Sequence, residues 1–108
     1  MLESFLTLTA KREKIIASNM ANVDTPGYRT EDMDFSREMK RALTSAPGTN
    51  VQVAAHTVPG LLQRPDGNDV DLDRESLLLS ESQLQFQLGT QLLKSQFHQL
   101  LSAIKGDQ

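Results

Sequence analysis

The chain has 108 residues, a formal net charge of −3 and no cysteine. That length holds one domain at most. The charge balance lacks the clustered Lys and Arg that phosphate-backbone binding needs, and the missing cysteines exclude disulfides and cysteine-based zinc sites.

The hydrophobic share is 38% and the mean hydropathy −0.39, thin for a self-sufficient core in a small chain. No purely apolar run exceeds three residues, as at Leu77-Leu78-Leu79, far short of the ~20 a membrane helix needs. The first residues, MLESFLTLTAKREK, lack the basic start, apolar stretch and cleavage site of a secretory signal. Export would then proceed without a conventional cleaved signal.

Residues 1–24 form the first predicted element, with a helix over 2–23. Leu2, Phe5, Leu6, Ile16, Met20 and Val23 recur at three- and four-residue spacings. Leu8 and Ile15 widen this surface, and Ala10, Ala17 and Ala21 favour helix. Phe5, Ile16 and Met20 are its candidate helix-pairing residues. Phe5 and Leu6 can be read either as packing residues or as a segment seen by an export machinery before folding. The helix must end before Pro26, which disfavours helical geometry at Thr25. Thr25-Pro26-Gly27-Tyr28 has type II turn chemistry, Pro fixing φ and Gly accepting positive φ.

Residues 25–70 read as a turn followed by a long, irregular or partly extended loop. Pro47-Gly48, Pro59-Gly60 and Asp66-Gly67 punctuate it. A helical turn is expected near Phe35 to Leu43, and Val51 and Val53 suit a short extended piece. So long a stretch without regular structure suggests disorder or order gained on assembly.

Residues 71–108 contain the last element, one helix over 72–105, about 50 Å at 1.5 Å per residue. Asp71 or a neighbouring Asp suits its cap, Asp73 and Glu75 its positive end, Lys105 its negative end and Gly106 its stop. Leu93, Phe97, Leu100 and Ile104 are spaced as a coiled-coil seam. Leu77, Leu84, Leu88 and Leu92 form an offset stripe. The stripes change near Gly89, which either permits a close helix contact or is a tolerated weak point. Between Ser82 and Ile104 the only charged residue is Lys94, and Gln83, Gln85, Gln87, Gln91, Gln96 and Gln99 fill most polar positions. An exposed helix usually carries Lys–Glu pairs; a neutral polar face beside two apolar stripes suits contact from several sides. The predicted fold is therefore mainly α: two terminal helices pairing as an antiparallel coiled coil, with Leu84, Leu88, Leu93, Phe97, Leu100 and Ile104 as candidate pairing or interface residues.

No catalytic, cofactor or metal site is legible. His56 and His98 lie in different regions, without an H-x-x-H or H-E-x-x-H pattern. The acidic run Asp66 to Glu75 fails as a calcium loop, because the loop starting at Asp69 puts Arg74 where Gly is needed and Ser80 where Glu is needed. No phosphate loop or nucleophile elbow is present, so an enzyme is not expected.

Two motifs remain. The segment Ala17 to Tyr28, ASNMANVDTPGY, resembles throughout the S-N-x-A-N-x-[DN]-T-P-G-[YF] signature of flagellar basal-body rod and hook proteins. Its motif residues here are Asn19, Ala21, Asn22, Asp24, Thr25, Pro26, Gly27 and Tyr28. The stretch DGNDVDLDRE, Asp66 to Glu75, is similar to the opening of the last helix in the proximal-rod, FlgB-type branch of that family, through Gly67, Asn68, Val70, Asp71, Leu72 and Asp73. Glu31 to Phe35 resembles the acidic-aromatic piece that follows the first motif. The helix before the signature is shorter than the family pattern.

The resemblance implies a structural rod subunit with paired terminal helices and an outer loop. It implies export by the flagellar type III apparatus and assembly into the periplasmic rod. Expected partners are further copies of the chain, FlgC-type rod proteins and FliE; no nucleic acid, small-molecule substrate or cofactor is implied. A soluble helical adaptor or export chaperone is the alternative. Within the first motif, Asn19 and Asn22 are expected to satisfy backbone groups of the turn or of a neighbouring subunit. Asp24 and Thr25 are expected to lock the turn, and Tyr28 to anchor apolar surface while its hydroxyl stays hydrogen-bonded.

Overall fold

The computed structural model describes residues 1–46 and 52–106. The N-terminal apolar spacing forms helix α1, Leu2–Ala21, two residues shorter than the periodicity predicts. It stops because the Asn22 amide closes back onto the carbonyls of Ser18 and Asn19 at 3.1 and 3.2 Å, after which the chain turns toward Pro26.

Strand β1, Glu31–Met33, follows, then helix α2, Phe35–Thr44. The Asp34 carboxylate caps α2 by accepting from the Arg37 amide at 3.2 Å. Strand β2, Ala55–Thr57, pairs antiparallel with β1, Glu31 opposite Thr57 and Met33 opposite Ala55. The expected turn near Phe35 is thus a full helix, whereas the β1–β2 pair has no counterpart in the sequence reading. Each strand has three residues, too short for a two-residue alternation to show. Val53 is irregular, and Val51 and the Pro47-Gly48 turn lie outside the described residues.

Helix α3, Leu72–Lys105, starts and stops as expected. Asp71 accepts from the amides of Asp73 and Arg74 at 3.0 and 3.3 Å, and the Gly106 amide closes onto the Ala103 carbonyl at 3.3 Å. It runs antiparallel to α1: Asn19 meets Glu75, Phe5 and Leu6 meet Gly89, and Met1 and Leu2 share a cleft with Leu92 and Gln96. With 34 residues against 20, α3 outruns α1 by about 21 Å at its C-terminal end. The molecule is correspondingly long, 65 × 28 × 18 Å.

Among the described residues the buried apolar side chains are few: Leu8, Ile16, Met33 and Val70. Buried polar ones outnumber them, with Thr9, Asn19, Thr30, Glu38, Asn68, Asp69, Glu75 and Ser82. Hydrogen bonding, more than apolar volume, therefore specifies this interior, which explains how a chain of low hydropathy folds.

The packed face of α3 continues the predicted Leu93–Ile104 seam toward the helix start, through residues that the apolar pattern does not name, and α1 reaches only as far as Leu92 and Gln96. The buried residues of α3 are Glu75, Ser82 and Gly89, spaced by heptads. Of the candidate pairing residues, Ile16 is buried, and Phe5, Met20 and Leu93 are half-buried. Leu84, Leu88, Phe97, Leu100 and Ile104 are exposed, between 55 and 72%. Each of these leucines forgoes roughly half or more of the ~1.5–3 kcal/mol that full burial brings. Gly89 resolves as a close-contact residue: a Cβ there would stand 2.8 Å from Leu6 Cδ2 and 3.1 Å from Phe5 Cδ2. Phe5 also packs edge-on against Phe35, the centroids 5.7 Å apart.

Candidate functional site

The two sequence motifs meet at the end of α1 and the start of α3, where they form one hydrogen-bonded clasp. Asn19 is its hub and is fully buried. Its amide nitrogen donates to the Glu31 carbonyl at 2.8 Å and to Glu75 Oε1. Its amide oxygen accepts from the Tyr28 hydroxyl at 2.9 Å and the Glu31 amide at 3.1 Å. Two donors and two acceptor positions are thereby filled, the capacity of an asparagine side chain. One residue ties together α1, the turn, β1 and α3.

Asn22 works differently. Its side chain donates to the Ser18 carbonyl at 2.8 Å and accepts from the Thr25 hydroxyl at 3.0 Å. It closes the helix and fixes the turn. The Tyr28 amide donates to the Thr25 carbonyl at 3.2 Å, and Gly27 has φ +76°, as a type II turn requires. Thr25 thus locks the turn as expected. Asp24 does not: its side chain is exposed, and among the described residues none donates to it. Ala21 and Pro26 are also exposed.

The second motif supplies the other half. Asn68, buried, donates to the carbonyls of Asn22 and Thr25 at 2.8 and 2.9 Å, and accepts from the Val70 amide at 2.8 Å. The Gly27 amide donates to the Asp66 carbonyl at 2.9 Å. Gly67 lies against this contact with φ +89°, and a Cβ on it would stand 3.2 Å from Gly27 Cα. The Arg64 guanidinium donates to the Val23 carbonyl. Val70 is buried, Asp71 caps α3, and Leu72 and Asp73 are exposed.

Several clasp residues carry no individual sequence signal. Asp69 accepts from the Thr30 amide at 2.6 Å and the Arg29 guanidinium at 3.0 Å, while its carbonyl accepts from the Thr30 hydroxyl at 3.2 Å. Arg12 grips Asp32 through two bonds of 3.2 and 3.1 Å, and Arg74 bonds Glu75 at 2.9 Å while standing 3.9 Å from Asp32. These ion pairs join α1, β1 and α3. The one available clue is that four aspartates, one glutamate and an arginine crowd into Asp66 to Glu75, more acid than helix capping needs. Among the described residues no three His, Asp or Glu side chains are grouped to hold a metal ion, and no helix is long and apolar enough to cross a membrane.

Burial pushes the Asp69 pKa upward, but the bonds from Thr30 and Arg29 outweigh it and hold the group below its ordinary 3.8. A depressed carboxylate stabilises the fold above its unfolded-state pKa, and that contribution is lost as pH falls through the folded value. Urea midpoints measured from pH 6 down to pH 2 should therefore drop more steeply for the natural chain than for Asp69→Asn below about pH 4. At neutral pH the substitution should destabilise by about 2 kcal/mol, since it weakens the bonds to the buried Thr30 amide and to Arg29. Parallel titrations of the two chains would contradict this role.

The family model described as "Flagella basal body rod protein" matches residues 2–29, which span α1 and the Pro-Gly turn. Over nearly the whole chain the sequence is similar to flagellar basal body rod proteins FlgB. The protein of Salmonella typhimurium is 34% identical over 94% of this chain and 88% of the relative. That of Escherichia coli K12 is 32% identical over 93% and 87%, and that of Aeromonas hydrophila 32% over 95% and 89%. Both halves of the clasp lie within these spans, and the chain belongs to the FlgB family of flagellar basal body rod proteins.

Proposed function

We propose that the chain is a non-catalytic structural subunit of the proximal flagellar rod, polymerising through the exposed apolar surfaces of its C-terminal helix. Further copies of the chain, FlgC-type rod proteins and FliE are its neighbours. It reaches the periplasmic rod through the flagellar export apparatus. The observation that carries this reading is the outer surface of α3. Leu84 and Leu88, on the side away from α1, and Phe97, Leu100 and Ile104, where α3 runs on past the end of α1, are more than half exposed, and only Lys94 is charged between Ser82 and Ile104. Near the free end an open cleft of about 660 Å³ is lined by the apolar Leu93, Phe97, Leu100 and Leu101 together with the charged Glu3 and Lys94. Large exposed apolar patches mark interaction surfaces, and the absence of like charges removes a barrier to packing helices side by side.

A rod requires head-to-tail contacts that do not close into a small ring. The clasp supports this by fixing the angle at which α1 and α3 leave the turn, so every subunit presents the same surfaces. The double substitution Phe97→Ser, Ile104→Ser tests the assignment. Both side chains are exposed, 61 and 72%, so stability of the isolated chain should change by no more than about 0.5 kcal/mol. Purified basal bodies should lack the rod. Intact rods containing the doubly substituted chain would refute the interface.

A further inference from the structure

Helix α3 offers two faces that carry leucines, and α1 sits on only one of them. The occupied face carries buried Glu75, Ser82 and Gly89, flanked by half-buried Leu78, Leu79 and Leu93. The open face carries Leu77, Leu84, Leu88 and Leu92, between 48 and 70% exposed. With leucines on both sides, hydrophobic burial by itself does not fix which one α1 takes. Something other than apolar area must therefore hold α1 where it is.

We propose that Glu75 and Gly89 are face-selecting residues, which keep α1 on their own side of α3 and so leave the side of Leu77, Leu84, Leu88 and Leu92 free. That the free side serves neighbouring subunits rests on the function proposed above; the selection itself does not.

Two anchors lie on one face, two heptads apart. At the first, the buried Glu75 carboxylate accepts from Asn19 and from Arg74. Asn19 cannot follow a rotated α3, because its remaining bonds go to Tyr28 and to both backbone groups of Glu31. Rolling α1 onto the open face would part this pair and strand a buried carboxylate, a large penalty. At the second anchor Gly89 has no side chain, and Phe5 and Leu6 fill the space its Cβ would take, 3.1 and 2.8 Å away. Any larger residue closes that notch. A buried polar residue that fixes the register of paired helices is a known use of such groups. Here the same physics fixes which face is internal.

The cysteine-free sequence allows a direct test by thiol labelling. Leu88→Cys and Ser82→Cys are made separately and labelled with a maleimide on the isolated full chain, at concentrations too low for association. In the natural background Leu88→Cys should react roughly tenfold or more faster than Ser82→Cys, whose labelling waits on local opening. Adding Glu75→Leu with Gly89→Leu should invert that order, with helix content by circular dichroism unchanged. An uninverted order with helices intact overturns the proposal. If that background loses helix, Glu75→Leu alone, which leaves Asn19 its other three bonds, should narrow the rate ratio roughly tenfold. An unchanged ratio there also overturns it. Labelling is read on the isolated chain, so its outcome is independent of rod formation.

Discussion

Asn19→Ala is expected to lower the stability of the isolated chain by about 3 kcal/mol or more. The substitution removes four hydrogen bonds at once. It leaves the Glu75 carboxylate buried with Arg74 alone, and it orphans the Tyr28 hydroxyl and both backbone groups of Glu31. Each buried polar group left without a partner costs roughly 1–3 kcal/mol, which relaxation and entering water reduce. A domain of this size is stable by only about 5–15 kcal/mol in total. Thermal denaturation should show the loss as a fall of about 12 °C or more, at roughly 4 °C per kcal/mol. Asn19→Asp should be no better at neutral pH. It has the shape of asparagine but points a second carboxylate at Glu75 and offers no donor to the Glu31 carbonyl. A shift below about 0.5 kcal/mol for either variant would mean that the hub carries no weight.

The second large effect separates two glycines with similar backbones. Gly27 and Gly67 both have positive φ, +76° and +89°, so replacing either by Ala incurs about 1–2 kcal/mol of conformational strain. Their surroundings differ. A Cβ at Gly27 meets nothing within 4 Å, whereas one at Gly67 stands 3.2 Å from Gly27 Cα. Backbone does not yield as a flexible side chain does, so Gly67→Ala carries an overpacking penalty of about 1–3 kcal/mol in addition. It should also pull apart the Gly27–Asp66 and Asn68–Thr25 bonds that join the motifs. Urea unfolding should therefore rank Gly67→Ala as the more damaging by at least about 1 kcal/mol. Equal losses would show that strain alone governs both positions and that the close approach of the two turns is incidental.

These effects mark how far residue patterns reach into the structure. The long elements were legible because each carries its own signal. Apolar spacing marks α1, Asp71 and Gly106 bracket α3, and Pro26-Gly27 marks the turn. The capped helix α2 was visible as a helical turn near Phe35. What pattern reading missed is the part of the pairing face of α3 that lies beside α1. It named Leu84, Leu88 and the Leu93–Ile104 seam as pairing or interface residues, with contact from several sides. The actual seam is Glu75, Ser82 and Gly89, residues that hydrophobic periodicity passes over. Their role arises from Asn19, Phe5 and Leu6, far away in sequence. The same holds for Asp69, whose partners Arg29 and Thr30 lie about 40 positions earlier. Local chemistry at Asp69 cannot distinguish a solvated acid from a buried clasp residue. Of the eight residues in the family signature, Asn19, Asn22, Thr25, Gly27 and Tyr28 take part in the hydrogen bonds of the clasp and turn, while Ala21, Asp24 and Pro26 are exposed.

The polar interior also bears on assembly. A subunit that buries Asn19, Asn68, Asp69 and Glu75 and exposes its leucines uses hydrogen bonds for its own shape. Under the proposed function its exposed apolar area would serve contacts with neighbours. The two sets of residues fall on separate parts of α3. Clasp substitutions should therefore act first on stability, and substitutions on the leucine face first on assembly.

The central claim, that this chain is a building block of the rod, is tested most directly by purifying basal bodies from cells with and without it. With the chain present, it should co-purify with the basal body in several copies per particle, and electron microscopy should show a rod. Without it, the membrane ring should remain and the rod should be missing. Complete rods in cells lacking the chain, or a chain found only in the soluble cytoplasmic fraction, would contradict the account.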